Sequence, residues 1–229
     1  MMGLNVQKGN MYPWVTHTWN PIRGRCPHAC TYCYMHVFDA TIGELRLAER
    51  ELDTPLGEGR TIFIGSSVDM FATAVPTEWI QKVLEHCIQH PANTYLFQSK
   101  NPARFLEFAE GAFPPKVILG TTIETNRYYN VSRAPHPIDR INAMAELAGY
   151  DKMVSIEPIM DFDLHQMASW MEMLHPKFVS IGADSQGHSL QEPSGEKIAE
   201  LIGALGRFTE VREKSNLQRL KKFGVVPCP

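Results

Sequence analysis

Nowhere does the sequence hold about 18 consecutive apolar residues, and its opening, MMGLNVQKGNMYPWV, lacks the basic start and apolar run of a secretory leader. No membrane span or membrane partner is therefore expected, and the chain reads as cytoplasmic. Excess charge of one sign is also missing. Lys and Arg number 22 against 25 Asp and Glu, a net charge of -3, which gives no global attraction to nucleic acid while leaving room for a local basic patch. No Ser/Gly-rich or Pro-rich linker, low-complexity tract or internal repeat interrupts the chain, so residues 1–229 are expected to form a single domain. Cysteine is scarce, five in all, and clustered: three fall within eight residues, while Cys87 and Cys228 stand alone. That is not an extracellular disulfide framework; it fits a cysteine-ligated metal site in a reducing compartment.

What is present is a repeating pattern. Short apolar, β-branched runs alternate with stretches of helical periodicity, which predicts parallel strands joined by crossover helices. Six strands are expected at Trp14–Trp19, Thr61–Ile64, Thr94–Phe97, Val117–Thr122, Met153–Ile156 and Phe178–Ile181, with a weaker seventh near Thr209–Arg212. Thr77 is placed to cap a helix whose apolar face runs from Trp79 to Ile88, with Cys87 in its core. Pro102 opens a helix through Phe108 and Ala109, stopped by Gly111. Further helices are expected at Pro137–Leu147, Leu164–Leu174 and Ser194–Leu205, and another spanning Glu44–Glu51. The fold class expected is α/β, a partial (βα)6 TIM-like barrel, with strand C-terminal ends gathered at one mouth.

Directly after the first strand comes Arg25-Cys26-Pro27-His28-Ala29-Cys30-Thr31-Tyr32-Cys33-Tyr34, a CxxxCxxC spacing. Three thiolates on one short loop can hold three corners of a [4Fe–4S] cubane and leave the fourth iron open. Zinc is the alternative: a Cys3His site completed by His28 or His36, as in an interaction module. The setting, between the first strand and the rest of a barrel-like chain, favours iron–sulfur, since zinc modules are usually small and autonomous. A plain iron–sulfur redox protein is the third class.

The segment CPHACTYCY after a first strand resembles the radical S-adenosylmethionine superfamily, including the aromatic Tyr32 immediately before the third cysteine. Within it, the chain resembles a compact phage-associated group on three segments: Trp14, Trp19, Asn20 and Pro21; Gly65 to Phe71; and Ser155 to Pro158. The resemblance implies a [4Fe–4S] cluster on Cys26, Cys30 and Cys33, S-adenosyl-L-methionine bound at the open iron, a 5′-deoxyadenosyl radical, and an external reductant such as flavodoxin or ferredoxin. It implies the host cytoplasm if the chain is phage-encoded.

Strand-end loops supply the rest of the expected pocket. Gly65, Ser66 and Ser67 stand where the superfamily has a Gly-Gly-Glu segment that contacts the cofactor amino group; the glutamate is absent, and Asp69 is a candidate acceptor. Lys100 is placed to meet a carboxylate. Thr122 and Glu124 are candidates for the methionyl or ribose end, and Glu157, at the end of an apolar strand, would need a partner such as Arg133 or Arg140. Gly182 and Ala183 leave room for adenine, with Asp184 and His188 as candidate substrate contacts. For the substrate, the phage-associated resemblance suggests a nucleobase or nucleotide, such as an already modified thymidine-type base in DNA. Tyr12, Trp14, Tyr34 and Phe71 are available for stacking, and Arg127, Arg133, Arg140, Arg219, Lys221 and Lys222 for phosphates. A peptide or small amine-containing metabolite, anchored by Glu157 or Asp184, is the alternative.

Overall fold

The computed structural model describes residues 3–108 and 111–221; Ala109, Lys222 and Cys228 lie outside the described residues. The chain enters through β1 (Asn5–Val6) and β2 (His17–Trp19), then a small antiparallel pair, β3 (Ile22–Arg23) and β4 (Arg46–Leu47). There follow β5 (Thr61–Ile64), α1 (Thr77–Ile88), β6 (Thr94–Ser99), β7 (Val117–Thr122), α2 (Pro137–Glu146), β8 (Asp151–Ile156), α3 (Leu164–Leu174), β9 (Phe178–Ile181), α4 (Gly195–Leu205), β10 (Glu210–Glu213) and α5 (Gln218–Lys221). The main sheet runs β1-β2-β5-β6-β7-β8-β9-β10. All its pairings are parallel except β1 with β2. It is an α/β fold of the partial-barrel type with seven parallel strands rather than six, because the weak segment near Thr209–Arg212 does pair, Val211 opposite Val179.

Side-chain alternation along each strand divides the interior in two. Ile62 and Ile64, Tyr95 and Phe97, Val154 and Ile156, and Val179 and Ile181 face the helices and merge with Ile80, Leu84, Met144, Met171 and Leu201 into the main core. The other strand face carries Phe63, Leu96, Ile118, Met153 and Phe178, packed around Tyr12, Trp14 and Val15. The segment before β2 is therefore an apolar plug inside the curl of the sheet. Gly120 fits here because a Cβ would stand 2.6 Å from the Met153 sulfur.

Three local expectations are corrected. Glu44–Glu51 forms no helix; β4 and a 3-10 turn at Glu49–Asp53 occupy that stretch. Its strong helix formers are overridden because Glu51, fully buried, accepts from Trp19 Nε1 at 3.1 Å, Arg23 Nη2 at 2.6 Å and Gly3 N at 2.9 Å. Thr77 does not cap α1: Pro76 stands there, and the Thr77 hydroxyl accepts from Arg104 at 2.9 Å. Pro102–Phe108 is a 3-10 helix. Ser194 does cap α4, its hydroxyl accepting from Lys197 N at 3.3 Å.

Candidate functional site

The cysteine loop is shaped by turns, with Ala29 N bonded to Cys26 O at 3.2 Å, Cys33 N to Cys30 O at 3.1 Å, and Ala29 in the left-handed region at φ 45°. A second loop braces it: Thr31 N donates to Val131 O at 2.8 Å and Arg133 N to His28 O at 2.7 Å. Cys26, Cys30 and Cys33 all line one cavity of about 450 Å³ at the C-terminal ends of the strands. Burial pushes the Cys26 thiol up to about 11 and raises that of Cys30. Burial thus disfavours the bare thiolates, and ligation of a metal group by these cysteines must release their protons. Among the described residues, no three His, Cys, Asp or Glu side chains are set to hold a single metal ion. The histidines considered for zinc are engaged elsewhere, His28 Nε2 2.8 Å from Asp69 and His36 Nε2 2.8 Å from the Cys30 carbonyl. Three cysteines lining one cavity, with neither histidine free to join them, fit a cubane better than a four-ligand zinc site.

Asp69 is a hub under the loop. Its Oδ2 accepts from His28 Nε2, from Ser99 Oγ at 3.0 Å and from Lys100 N at 2.7 Å, and its Oδ1 from Phe71 N at 3.0 Å. Burial opposes its charge, but the His28 bond and these other donors hold its carboxyl below the usual range. With its acceptors filled, Asp69 positions His28 rather than waiting for a ligand ammonium. Beside it, Gly65, Ser66 and Ser67 line the cavity. Gly65 has φ 75°, and a Cβ there would stand 2.9 Å from Val68 O. Asn20 Oδ1 accepts from Ser66 Oγ at 3.2 Å and Ser67 N at 2.9 Å, while Tyr34 donates to Ser66 O at 2.8 Å.

Glu124 lies just behind the cavity, 2% exposed. It accepts from Tyr32 Oη, from Lys100 Nζ at 2.9 Å and from Arg140 Nη1 at 2.8 Å. Burial works against its charge, yet Lys100 and Arg140 pull its pKa down to about 2. Lys100 thus meets a carboxylate, and Glu124 locks Tyr32 rather than facing the cavity. Thr122 does face it, its hydroxyl accepting from Gln98 Nε2 at 3.0 Å.

On the wall formed by the ends of β8, β9 and β10, Glu157 pairs with Lys214 at 2.7 Å and accepts from Asn10 at 3.2 Å and Asn216 at 3.3 Å. Neither Arg133 nor Arg140 is its partner: Arg140 is held by Glu124, and Arg133 is exposed. A Cβ on Gly182 would meet the Glu157 carboxylate at 2.6 Å, so that glycine makes room for Glu157; Ala183 lines the cavity. Tyr12 closes the floor, its hydroxyl 2.8 Å from Gln98 Oε1 and 2.9 Å from Ser155 Oγ. Burial raises its pKa well above the phenol range.

Of the aromatics considered for stacking, Tyr12 and Tyr34 reach the cavity. Phe71 is buried against Phe97, Phe105 and Phe108, and Trp14 is stacked on Tyr12 in the plug. Among the basic residues, Arg127 is clamped by Asp161 and Asp163, Arg219 by Glu192 and Lys221 by Glu213. Sequence reading missed Lys214, Asn10 and Asn216, which lie in segments with no pattern. Gln98, in a polar cluster expected at the mouth, and Ser155, in a segment that carries the resemblance, do line the cavity; polar residues on the inward alternation of buried strands need polar neighbours.

The family described as "Protein of unknown function (DUF5131)" matches residues 10–192, from the plug to the loop after β9. The chain belongs to this family. No curated protein matches it by sequence. Among solved structures it is similar to spore photoproduct lyase, a radical S-adenosylmethionine enzyme. One mutant of that enzyme superposes with TM-score 0.66 at 12% identity over 91% of this chain and 78% of the other. A complex with dinucleoside spore photoproduct gives 0.58 at 14% identity, over 89% and 64%, and one with AdoMet and the same dinucleoside 0.57 at 14%, over 88% and 64%. The chain therefore spans 64% of the length of those two ligand-bound relatives. It shares their fold: helices around a mainly parallel, curled sheet.

Proposed function

We propose that the chain is a radical S-adenosylmethionine enzyme of the cytoplasm, in which Cys26, Cys30 and Cys33 hold a [4Fe–4S] cluster and the adjoining cavity takes S-adenosyl-L-methionine. The observation that carries this reading is the convergence of all three cysteines on one strand-end cavity, in a fold shared with an enzyme whose structure holds AdoMet. When bound and reduced by a partner such as flavodoxin or ferredoxin, the pair supplies a 5′-deoxyadenosyl radical that removes hydrogen from a substrate. The chain's part is to bind, orient and exclude water. Asp69 and His28 brace the cysteine loop from below, Glu124 fixes Tyr32, and Asn20 holds Ser66 and Ser67 against the cavity. Glu157, paired with Lys214, presents a carboxylate edge for an ammonium or for ribose hydroxyls, with Thr122 on a neighbouring strand end and Gly182 leaving the room that Glu157 fills.

The proposed substrate is a nucleobase in a nucleotide or in modified DNA. Tyr34 at the mouth supports it, as do a fold relative that holds a dinucleoside and the sequence resemblance to a phage-associated group. Anaerobic reconstitution tests the enzyme reading. About four irons per chain are expected, with an electron paramagnetic resonance signal that changes when S-adenosylmethionine is added, 5′-deoxyadenosine release on reduction, and loss of all three in Cys30→Ala. A colourless protein with one tightly held zinc overturns it.

A further inference from the structure

The cavity does not end at its mouth. Through Asn10, Asp184 and Ser185, which border both, it continues into an open groove past Gly9, Gly187, Ser189, Ser215 and Asn216 to Arg219. The groove is lined mainly by polar residues and glycine, and at Gly9 and Gly187 a Cβ would meet nothing within 4 Å, so the backbone is open to a ligand there. Where groove and cavity join, every carboxylate is already engaged. Glu157 is paired with Lys214 and Glu192 with Arg219. Asp184 accepts from Gln186 N at 3.1 Å, from His188 N, and from His188 Nδ1 at 2.7 Å.

Among the described residues there, two cationic or donor groups are left over. Lys8, exposed on the rim of the cavity, has no ion pair among the described residues. His188 also lines the cavity, and since Asp184 takes its Nδ1–H, the ring edge at Nε2 remains for another partner.

We propose that this groove is a phosphodiester site: with a base in the cavity, the flanking phosphate sits at the rim on Lys8 and His188, and the sugar–phosphate chain follows Gly9 and Gly187 toward Arg219. The proposal rests on the nucleobase reading above and sharpens it to a base within a strand, at least a dinucleotide, over a free base or nucleoside. Backbone contacts of this kind position the strand without reading its sequence.

The test compares binding of thymidylyl-thymidine, which has one phosphodiester, with thymidine, which has none. Calorimetry is run on the anaerobically reconstituted protein with S-adenosylmethionine present. A charge-assisted contact predicts a dinucleotide preference of about tenfold. That preference should shrink as salt rises. Lys8→Gln and His188→Gln should each narrow the ratio by about threefold or more; Lys8 is exposed, so its replacement does not endanger the fold. Equal affinities, a ratio indifferent to both substitutions, or no binding of either compound overturns the groove. Release of 5′-deoxyadenosine is measured on the same sample: its absence counts against the enzyme reading, whereas its presence with equal affinities counts against the groove alone.

Discussion

The hydroxyl of Tyr32, one residue before Cys33, donates to the carboxylate of Glu124, which stands 92 residues further along the chain. Through this bond the cysteine loop after β2 is tied to the loop after β7, and through Glu124 to Lys100 after β6 and Arg140 on α2. Four elements thus share one buried charge. Tyr32→Phe removes one donor and leaves the ion pairs, so it should cost about 1 kcal/mol of stability. The loop should also hold the proposed cluster less firmly, read as iron per chain after gel filtration beside the melting temperature. Unchanged iron retention would show that the bond does not shape the loop.

Glu124→Gln is a harsher change, because Lys100 and Arg140 would face a neutral amide. Removing one member of a buried ion-pair set costs about 3–5 kcal/mol. The pH dependence has a definite sign. The folded pKa, about 2, lies below the ordinary 4.5, so the stabilisation is complete above about 4.5 and is lost as pH falls from there toward 2. Urea unfolding at a series of acidic pH values should show the wild type losing its advantage over Glu124→Gln across that window. A constant difference would contradict the assignment.

Gly182→Ala places a methyl where the Glu157 carboxylate lies, 2.6 Å from Oε1. The carboxylate must swing off Lys214 and Asn216, which should lower stability by about 1–3 kcal/mol. Affinity for S-adenosylmethionine, measured by equilibrium dialysis, should fall as well. Wild-type affinity would remove Glu157 from the cofactor wall.

Asn20→Ala deletes the single acceptor shared by Ser66 Oγ and Ser67 N. A loss of about 1–2 kcal/mol is expected, with a rise in hydrogen exchange confined to the segment from Gly65 to Val68. Exchange that rises evenly over the molecule would mean that Asn20 acts on the whole fold instead.

Much of the architecture was legible because strands buried on both faces read as short continuous apolar runs: Thr61–Ile64, Val117–Thr122 and Phe178–Ile181 coincide with β5, β7 and β9. β10 reads weakly because Arg212 does the work of an apolar residue there, its guanidinium lying 3.7 Å from the centre of the Phe178 ring. The cysteine loop announces itself through its spacing, and Gly65, Ser66, Ser67, Thr122 and Glu157 through their place at strand ends. The pairings inside the site are another matter. Lys214 meets Glu157 across 57 residues, and nothing local in either segment marks one as the other's partner. Asp69 and Glu124 look like available acceptors in the sequence, and only the three-dimensional neighbourhood shows their oxygens filled.

The plug around Tyr12 bears on how such a chain emerges from the ribosome. The Tyr12 hydroxyl closes the floor of the cavity against Ser155, 143 positions later, and Trp14 packs edge-on to Phe178. Residues made early must therefore wait, solvent-exposed, until β8 and β9 have been synthesised. Contacts of such long sequence separation slow folding and prolong the exposure of apolar surface. On this ordering the cysteines are translated long before the chamber they serve has a bottom. The cluster proposed above would then be loaded late, once that chamber is closed from below.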